Sequence, residues 1–489
     1  MATTVPLDYR MLIDGELVGS EGGTFAVTNP ATGEEIATVP NATLEDLRRA
    51  IDSAERALVG WRQTTAGERA KILRAAAAGI RAEVDHIGEV MTDEQGKPLA
   101  EAKGEVEYAA SFLDWFAGEA ERIYGQTLPP LAADKRILVL RQPVGVTAAI
   151  TPWNFPAAMM TRKLGPALAA GCTSIVKPAS ATPLTAIEIV RIMHEAGVPA
   201  GVVNLITSRR TADVADMLFH DPRVRKISFT GSTEVGKDLI RASADQVKRL
   251  SLELGGHAPF IVFEDADLEA ALDGTIASKF RNAGQTCICA NRIYVQRSVH
   301  KAFVEGLTKR VAALQVGNGR GDGIQIGPLI DDRAVAKADE HVRDAVAKGA
   351  TLISGGSALT EGEFASGSFY APTLLDGVTP DMQIFQEETF GPVAGVTVFD
   401  TEEEVVRSAN DTVYGLSAYF YTRDYARLLR VAESLDYGIV GANDALPSNA
   451  KAPFGGMKES GYGREGGPQG IDEYLEVKYV SIGGVGLSH

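Results

Sequence analysis

Cysteine is scarce in this chain: three residues among 489, at positions 172, 287 and 289. Three thiols cannot build a disulfide framework, so the fold must rest on its apolar core, and a reducing compartment such as the cytoplasm is expected. No stretch approaches the roughly 18 consecutive apolar residues that a membrane span requires. Residues 1–11 carry Asp8 and Arg10 and lack the apolar core of a secretory leader. The seven histidines show no His-x-His or His-x-x-x-His spacing and no Cys-x-x-Cys is present, so we expect no metal site. Positive charge is also short, with 48 Lys and Arg against 64 Asp and Glu and a net charge of -16. That balance repels nucleic acid and anionic membranes, leaving a small molecule as the expected partner. An anionic substrate would have to be met by a few local arginines working against the global field.

What is present reads as an ordinary globular composition, 45% hydrophobic and 23% charged, in a chain longer than one core usually serves. Two or three structural units are expected. Residues 43–58 place Leu44, Leu47, Ile51, Ala54 and Leu58 on one helical face behind a Thr43 cap, and a further helical run covers 68–91. The segment 134–143 reads as an isolated strand, which needs a partner. We expect an arm that pairs with another subunit, and the strand-like tail at 474–482 is a further partner for it. From Gly145 onward, short apolar strands at 146–150, 172–176, 202–206, 226–229 and 249–254 alternate with helices at 159–170, 183–196, 211–219 and 232–242. This is the pattern of a parallel sheet covered on both faces, whose ligands bind beyond the carboxyl ends of the strands. Residues 151–156, 177–180, 207–210, 230–232 and 255–256 occupy those ends. A second α/β alternation is expected after Asp267, beginning with the cysteine loop, and 453–470 reads as an ordered glycine-rich loop.

The stretch 279–292, K-F-R-N-A-G-Q-T-C-I-C-A-N-R, sets Cys287 in a polar, turn-rich context that presents a thiol, although many free cysteines simply fill a core. Two phosphate-loop patterns are rejected. Gly461 to Gly466 satisfies G-x-G-x-x-G but follows no expected strand. Gly231 to Lys237 nearly spells a nucleotide triphosphatase loop, but Asp238 stands where a magnesium-binding hydroxyl belongs. What survives is a helix start at Gly231 and Ser232 whose free N–H groups suit a pyrophosphate.

Taken in order, P-W-N-F-P (152–156), V-K-P-A-S (176–180), F-T-G-S-T-E-V-G (229–236), L-E-L-G-G (252–256), G-Q-T-C (284–287), E-E-T-F-G-P (387–392) and P-F-G-G-M-K-E-S-G (453–461) resemble the aldehyde dehydrogenase superfamily along essentially the whole chain. Within it the sequence is most similar to NADP-accepting succinate-semialdehyde dehydrogenases. The resemblance implies a Rossmann-type cofactor domain (1–127 and 145–256), an α/β catalytic domain (257–470) and a small β oligomerisation arm (128–144 and 471–489) in a homodimer or homotetramer. It implies that the Cys287 thiolate adds to an aldehyde to form a thiohemiacetal, and that the Asn154 amide and the Cys287 N–H hold the oxyanion. Hydride transfer to the nicotinamide then leaves a thioester, and Glu253 activates water to hydrolyse it. The cofactor set it implies is Thr151, Trp153, Asn154, Lys177, Pro178, Ala179, Ser180, Gly231, Ser232, Leu254, Glu388 and Phe390. Ser180 stands where many NAD-preferring members carry a glutamate, which favours NADP with NAD still possible; Arg209 or Arg210 is a further aid, in a loop that departs from the family's glycine-containing one. Arg162, Arg281 and Ser448 match positions that clamp the distal carboxylate of a semialdehyde acid. Pro447 departs from the pattern and keeps a longer acid such as glutarate semialdehyde open. Cys289, placed two residues from Cys287 in an extended segment, would form a strained, reversible disulfide as an oxidative off-switch, while Cys172 is expected to be structural. The alternative from another class is a thiol hydrolase or binding protein on the same scaffold.

Overall fold

The computed structural model of the protein describes residues 9–485; residues 1–8 of the segment expected to lack a leader, and the last four residues of the expected arm, lie outside it. The alternation after Gly145 builds an eight-stranded sheet. Its central strands Val203–Leu205, Thr173–Lys177, Val146–Ile150, Val224–Thr230 and Arg249–Glu253 lie side by side in that order and are parallel. Successive strands are added on one side of Val146–Ile150 and then on the other, so the strand order reverses between it and Val224–Thr230. A crevice opens at such a reversal, beyond the carboxyl ends. Register aligns Ile150 with Lys177 and Phe229, and Thr230 with Glu253, which brings the residues that follow each strand to one edge.

A second, seven-stranded sheet is centred on Ala290–Gln296 and Ala258–Val262, with Val393–Phe399 on one flank and Ser417–Tyr421 on the other, all parallel. Its alternation therefore starts with Ala258–Val262, ahead of the expected start after Asp267. That strand was hidden from sequence reading because its single apolar run directly follows the L-E-L-G-G segment. The glycine-rich stretch also differs from expectation. Gly461–Tyr462 pairs antiparallel with Arg249–Glu253, so the chain returns from the second sheet to the edge of the first. Gly461 has φ +107, and a Cβ there would lie 2.0 Å from the Leu252 carbonyl oxygen, so only glycine permits this approach.

The tail strand Leu475–Ile482 pairs with Arg136–Pro143 over its full length, from Leu475 opposite Pro143 to Ile482 opposite Arg136, and Gln126–Leu128 completes a three-stranded sheet. Val477 and Tyr479 on this sheet are 69% and 61% exposed.

The helix Leu44–Trp61 starts at a Thr43–Asp46 capping box, as its sequence suggests. The run 68–91 is instead two helices, Ala66–Ala82 and Val84–Gln95, broken at Glu83 where the backbone leaves helical geometry. The longest helix, Leu99–Ala120, was not anticipated. It buries Val106, Phe112, Leu113 and Phe116 against Ala66–Ala82 and Ala158–Ala170 while aiming polar groups toward the cysteine loop. No helix among the described residues is long and apolar enough to cross a membrane.

Candidate active site

Cys287 owes its position to a costly backbone. Asn282, Ala283 and Gly284 adopt φ of +50°, +54° and +76°, a left-handed run that L side chains resist. A Cβ on Gly284 would lie 2.1 Å from the Gly391 carbonyl oxygen. The run is held by side chains: the Asn282 N–H donates to Glu101 Oε2 at 2.8 Å and its amide donates to the Asn154 carbonyl at 3.0 Å. A turn from Thr286 to Cys289, closed at 2.9 Å, then presents Cys287 half-buried. Gly256 lets the first sheet reach this loop, since a Cβ there would sit 2.1 Å from the Cys287 carbonyl oxygen.

The sulfur-bearing residue lines two separate clefts. On one side, Trp153, Asn154, Gly231, Ser232, Leu254, Glu388 and Phe390 surround a cavity of about 280 Å³. Trp153 and Phe390 meet edge to face at 5.6 Å. Glu388 accepts the Gly256 N–H at 3.2 Å, and burial pushes its carboxyl up to about 7. Thr151, Lys177, Pro178, Ala179 and Ser180 do not line this cavity; they sit at the adjoining strand ends, where the Thr151 N–H donates to the Lys177 carbonyl at 3.2 Å. Among the described residues the buried Lys177 ammonium has only the Pro178 carbonyl as partner, at 3.3 Å, and burial pushes it down to about 8. Thr151 Oγ1 is buried without a partner. A buried, underused ammonium and hydroxyl beside a Ser232-capped helix Thr233–Ser243 suit a phosphorylated, hydroxyl-rich dinucleotide.

On the other side Cys287 faces Tyr108, Arg162, Arg281, Thr286, Ser448 and Phe454. Arg281, Ser448, Tyr108 and Phe155 also line a wider cavity of about 580 Å³ that continues from this cleft. Arg162, on the helix Ala158–Ala170, is 1% exposed; its guanidinium lies 3.8 Å from the Phe454 ring centroid and donates to the Tyr108 hydroxyl at 3.2 Å. Among the described residues its Nε has no partner, and its nearest carboxylate, Glu465, is 4.0 Å away. Arg281 lies 4.9 Å from the Phe155 ring, and Ser448 shares a hydrogen bond with Tyr108. Two cations with spare hydrogen-bonding capacity thus stand at the end of a cleft that starts at the sulfur.

Asn154 is 5% exposed and donates one amide hydrogen to the Gln285 carbonyl at 3.0 Å, leaving the second for a ligand. Glu253 ends its strand 3% exposed and lines neither cleft. Its Oε2 has no partner, and burial followed by repulsion from Glu465 pushes its carboxyl well above the usual range, against Arg162, Lys163 and Arg464. Burial likewise pushes the Cys287 thiol up to about 12, opposed by Arg162 and reinforced by Glu388 and Glu253. The resting thiol is therefore protonated at neutral pH and must lose its proton to react.

One expectation needs correction. The segment from Cys287 to Cys289 is a turn rather than extended chain, so the alternation that would have placed both thiols on one side does not hold. Cys289 is 1% exposed and its thiol donates to the Lys279 carbonyl at 3.2 Å. Arg209 is held by the Ala26 carbonyl at 3.2 Å and the Phe25 ring, while Arg210 is exposed. Cys172 is fully buried. Glu83, His86 and Glu188 converge closely enough for a metal, but the Arg191 guanidinium already pairs with both carboxylates.

Sequence reading missed Tyr108, because the helix carrying it went unseen, and Lys337, whose ammonium donates to the Glu388 carbonyl at 2.6 Å on the wall of the first cleft. It also missed Lys163 and Glu465, which pair beside Glu253 from 302 residues apart. Lys163 did carry a signal: an adjacent Arg-Lys pair inside an otherwise apolar helix requires buried partners.

A thiol between a strand-end crevice and a cationic cleft suits an oxidoreductase, and the chain belongs to the aldehyde dehydrogenase family, whose sequence pattern matches residues 17–480. It is 54% identical over 475 residues to the succinate-semialdehyde dehydrogenase [NADP(+)] GabD of Escherichia coli, covering 97% of this chain and 98% of that one. Similarity to the glutarate-semialdehyde dehydrogenase of Pseudomonas putida is 54% identity over 471 residues, 96% and 97% of the two chains. Among solved structures, the succinate-semialdehyde dehydrogenase from Burkholderia pseudomallei matches with a TM-score of 0.96 at 51% identity, over 99% of this chain and 100% of that one.

Proposed function

We propose that this protein oxidises succinate semialdehyde to succinate, with NADP as the preferred hydride acceptor and NAD also accepted. The observation that carries the reading is the placement of Cys287 between a cleft lined by Gly231, Ser232 and Phe390 and one that ends on Arg162, Arg281 and Ser448. The cationic end receives the distal carboxylate, which orients the aldehyde carbon toward the sulfur. Cys287, once deprotonated, adds to that carbon, and the free Asn154 amide hydrogen and the Cys287 N–H take the negative charge that develops on oxygen. A nicotinamide bound in the first cleft supplies the hydride acceptor. Glu253 then takes a proton from water, and the resulting attack on the thioester carbon releases succinate and returns the thiolate.

NADP is favoured because Ser180 presents no carboxylate to repel a 2′-phosphate, and because the Escherichia coli relative bears that cofactor in its name. Glutarate semialdehyde is the second reading, favoured by the 54% identity to the Pseudomonas putida enzyme and by the wide cavity beyond the cleft. We assign residues 1–127 and 145–256 to cofactor binding, 257–470 to catalysis, and 128–144 with 471–489 to an oligomerisation arm. The exposed Val477 and Tyr479 support a homodimer or homotetramer, and three unpaired cysteines suit the cytoplasm.

The test is formation of reduced nicotinamide, followed by absorbance, with aldehyde acids of two, three and four methylenes and each cofactor. Turnover of the acids in the wild type and none in Cys287→Ala is expected. Equal kcat/KM for the acids and for neutral aldehydes of the same length would overturn the substrate assignment.

A further inference from the structure

Behind the site lies an ion pair that the chemistry above does not use. The side chains of Lys97 and Glu105 are 0% and 1% exposed. Burying two charges is unfavourable unless their geometry and remaining hydrogen bonds are good, so a buried pair calls for an account of what it holds.

Each partner holds backbone next to Asn154. The Lys97 ammonium donates to Glu105 and to the Asn154 carbonyl oxygen at 2.8 Å, and it lies 4.0 Å from the Phe155 ring centroid. The other Glu105 oxygen accepts the N–H groups of Ala157 and Ala158 at 2.9 and 3.2 Å. The pair thus grips both ends of the turn that runs from Asn154 into the helix Ala158–Ala170. Asn282, from the cysteine loop, adds a second donor to the same Asn154 carbonyl at 3.0 Å. A carbonyl held by two donors fixes the plane of its peptide, and the direction of the side chain on the same residue follows. Lys97 lines neither cleft that Cys287 faces, and its ammonium is engaged by Glu105, the Asn154 carbonyl and the Phe155 ring.

We propose that Lys97, oriented by Glu105, is a positioning residue that locks the Asn154 peptide so that the free amide hydrogen points at the carbonyl oxygen of the aldehyde bound to Cys287. The inference rests on the oxyanion role of Asn154 proposed above. It also explains why Asn282 is kept in a left-handed conformation: its amide reaches the Asn154 carbonyl from the nucleophile's own loop, so donor and nucleophile are set in one frame.

The experiment is a double-mutant cycle on the full-length enzyme. Lys97→Met combined with Glu105→Gln removes the ammonium without leaving a lone buried carboxylate, and it keeps an acceptor for Ala157 and Ala158. Asn282→Gly is a second variant, which deletes the other donor and tolerates the positive φ. Misplacement of a catalytic group by about an ångström costs up to roughly 100-fold. Each variant should therefore lower kcat by roughly ten- to a hundredfold, with KM for succinate semialdehyde and the Kd for NADP changed less than about twofold. In an Asn154→Ala background, where kcat is already down by roughly 100- to 1000-fold, the same changes should add less than about threefold. Equal fold-losses with and without Asn154 would overturn the proposal, as would an unchanged kcat. If Lys97→Met with Glu105→Gln does not fold, Asn282→Gly decides by the same criterion. Wild-type kcat in Asn154→Ala alone would instead refute the oxyanion assignment beneath it.

Discussion

Replacing Arg281 with methionine keeps an apolar stem and removes the guanidinium, with its charge and its N–H donors. The guanidinium lines both the cleft facing Cys287 and the wider cavity beyond it, packed 4.9 Å from the Phe155 ring. One charge-assisted hydrogen bond contributes about 1.5–3 kcal/mol, so kcat/KM for succinate semialdehyde should fall roughly 12- to 140-fold at about 1.4 kcal/mol per decade. Butanal has the same four-carbon frame without a carboxylate, and its kcat/KM should stay within about twofold. Arg281 has a second neighbour that complicates the variant. Burial raises the Glu101 carboxyl, while Lys97, Arg281 and the Asn282 N–H oppose that rise. With the arginine removed, Lys97 and the Asn282 N–H still favour the Glu101 carboxylate and keep it on the left-handed turn. Alkylation of Cys287 by iodoacetamide, a neutral probe, reports on that turn and should proceed at the wild-type rate. Parallel losses for succinate semialdehyde and butanal would refute the carboxylate-clamp argument and make Arg281 a support of the cysteine loop.

Three further outcomes are expected. Glu253→Gln should keep a first-turnover burst of reduced nicotinamide while steady-state kcat falls at least about 100-fold; loss of the burst would place Glu253 ahead of hydride transfer. Because burial and Glu465 raise the Glu253 carboxyl, and a general base must be ionised, kcat should fall as pH drops through that raised pKa. Glu465→Gln removes the repulsion and should shift this acid limb to lower pH, and a shift upward in the kcat profile would contradict the assignment. Ser180→Glu should raise KM for NADP at least tenfold through like-charge repulsion, roughly 1.4 kcal/mol or more, and leave KM for NAD within about threefold; equal effects on both would remove Ser180 from cofactor choice.

Much of the first sheet was legible because each strand after Gly145 is a short apolar run closed by glycine, proline or a polar cap, and the helices between them run ten to thirteen residues. The observed strands fall within one or two residues of the expected ones. The Thr43 cap, the strand character of the tail and the cysteine turn were legible for the same reason, since their chemistry lies within a few residues. Leu99–Ala120 was not, because Glu101, Gly104, Glu105 and Glu107 interrupt its apolar stripe, and the three glutamates do so for partners on other elements. Cys289 misled because side-chain direction depends on the backbone of the turn, which the Thr286–Cys289 hydrogen bond sets.

What the sequence by itself determined, then, is the order of strands and helices, the family motifs and the short list of chemically capable side chains, all of which are local in the chain. Only the tertiary structure decided which of those side chains meet. It set Lys163 against Glu465 across 302 residues and Tyr108 against Ser448 across 340. It also raised the Glu253 carboxyl and the Cys287 thiol above their ordinary ranges, because desolvation and charge repulsion depend on which surfaces pack together, and no window of neighbouring residues records that.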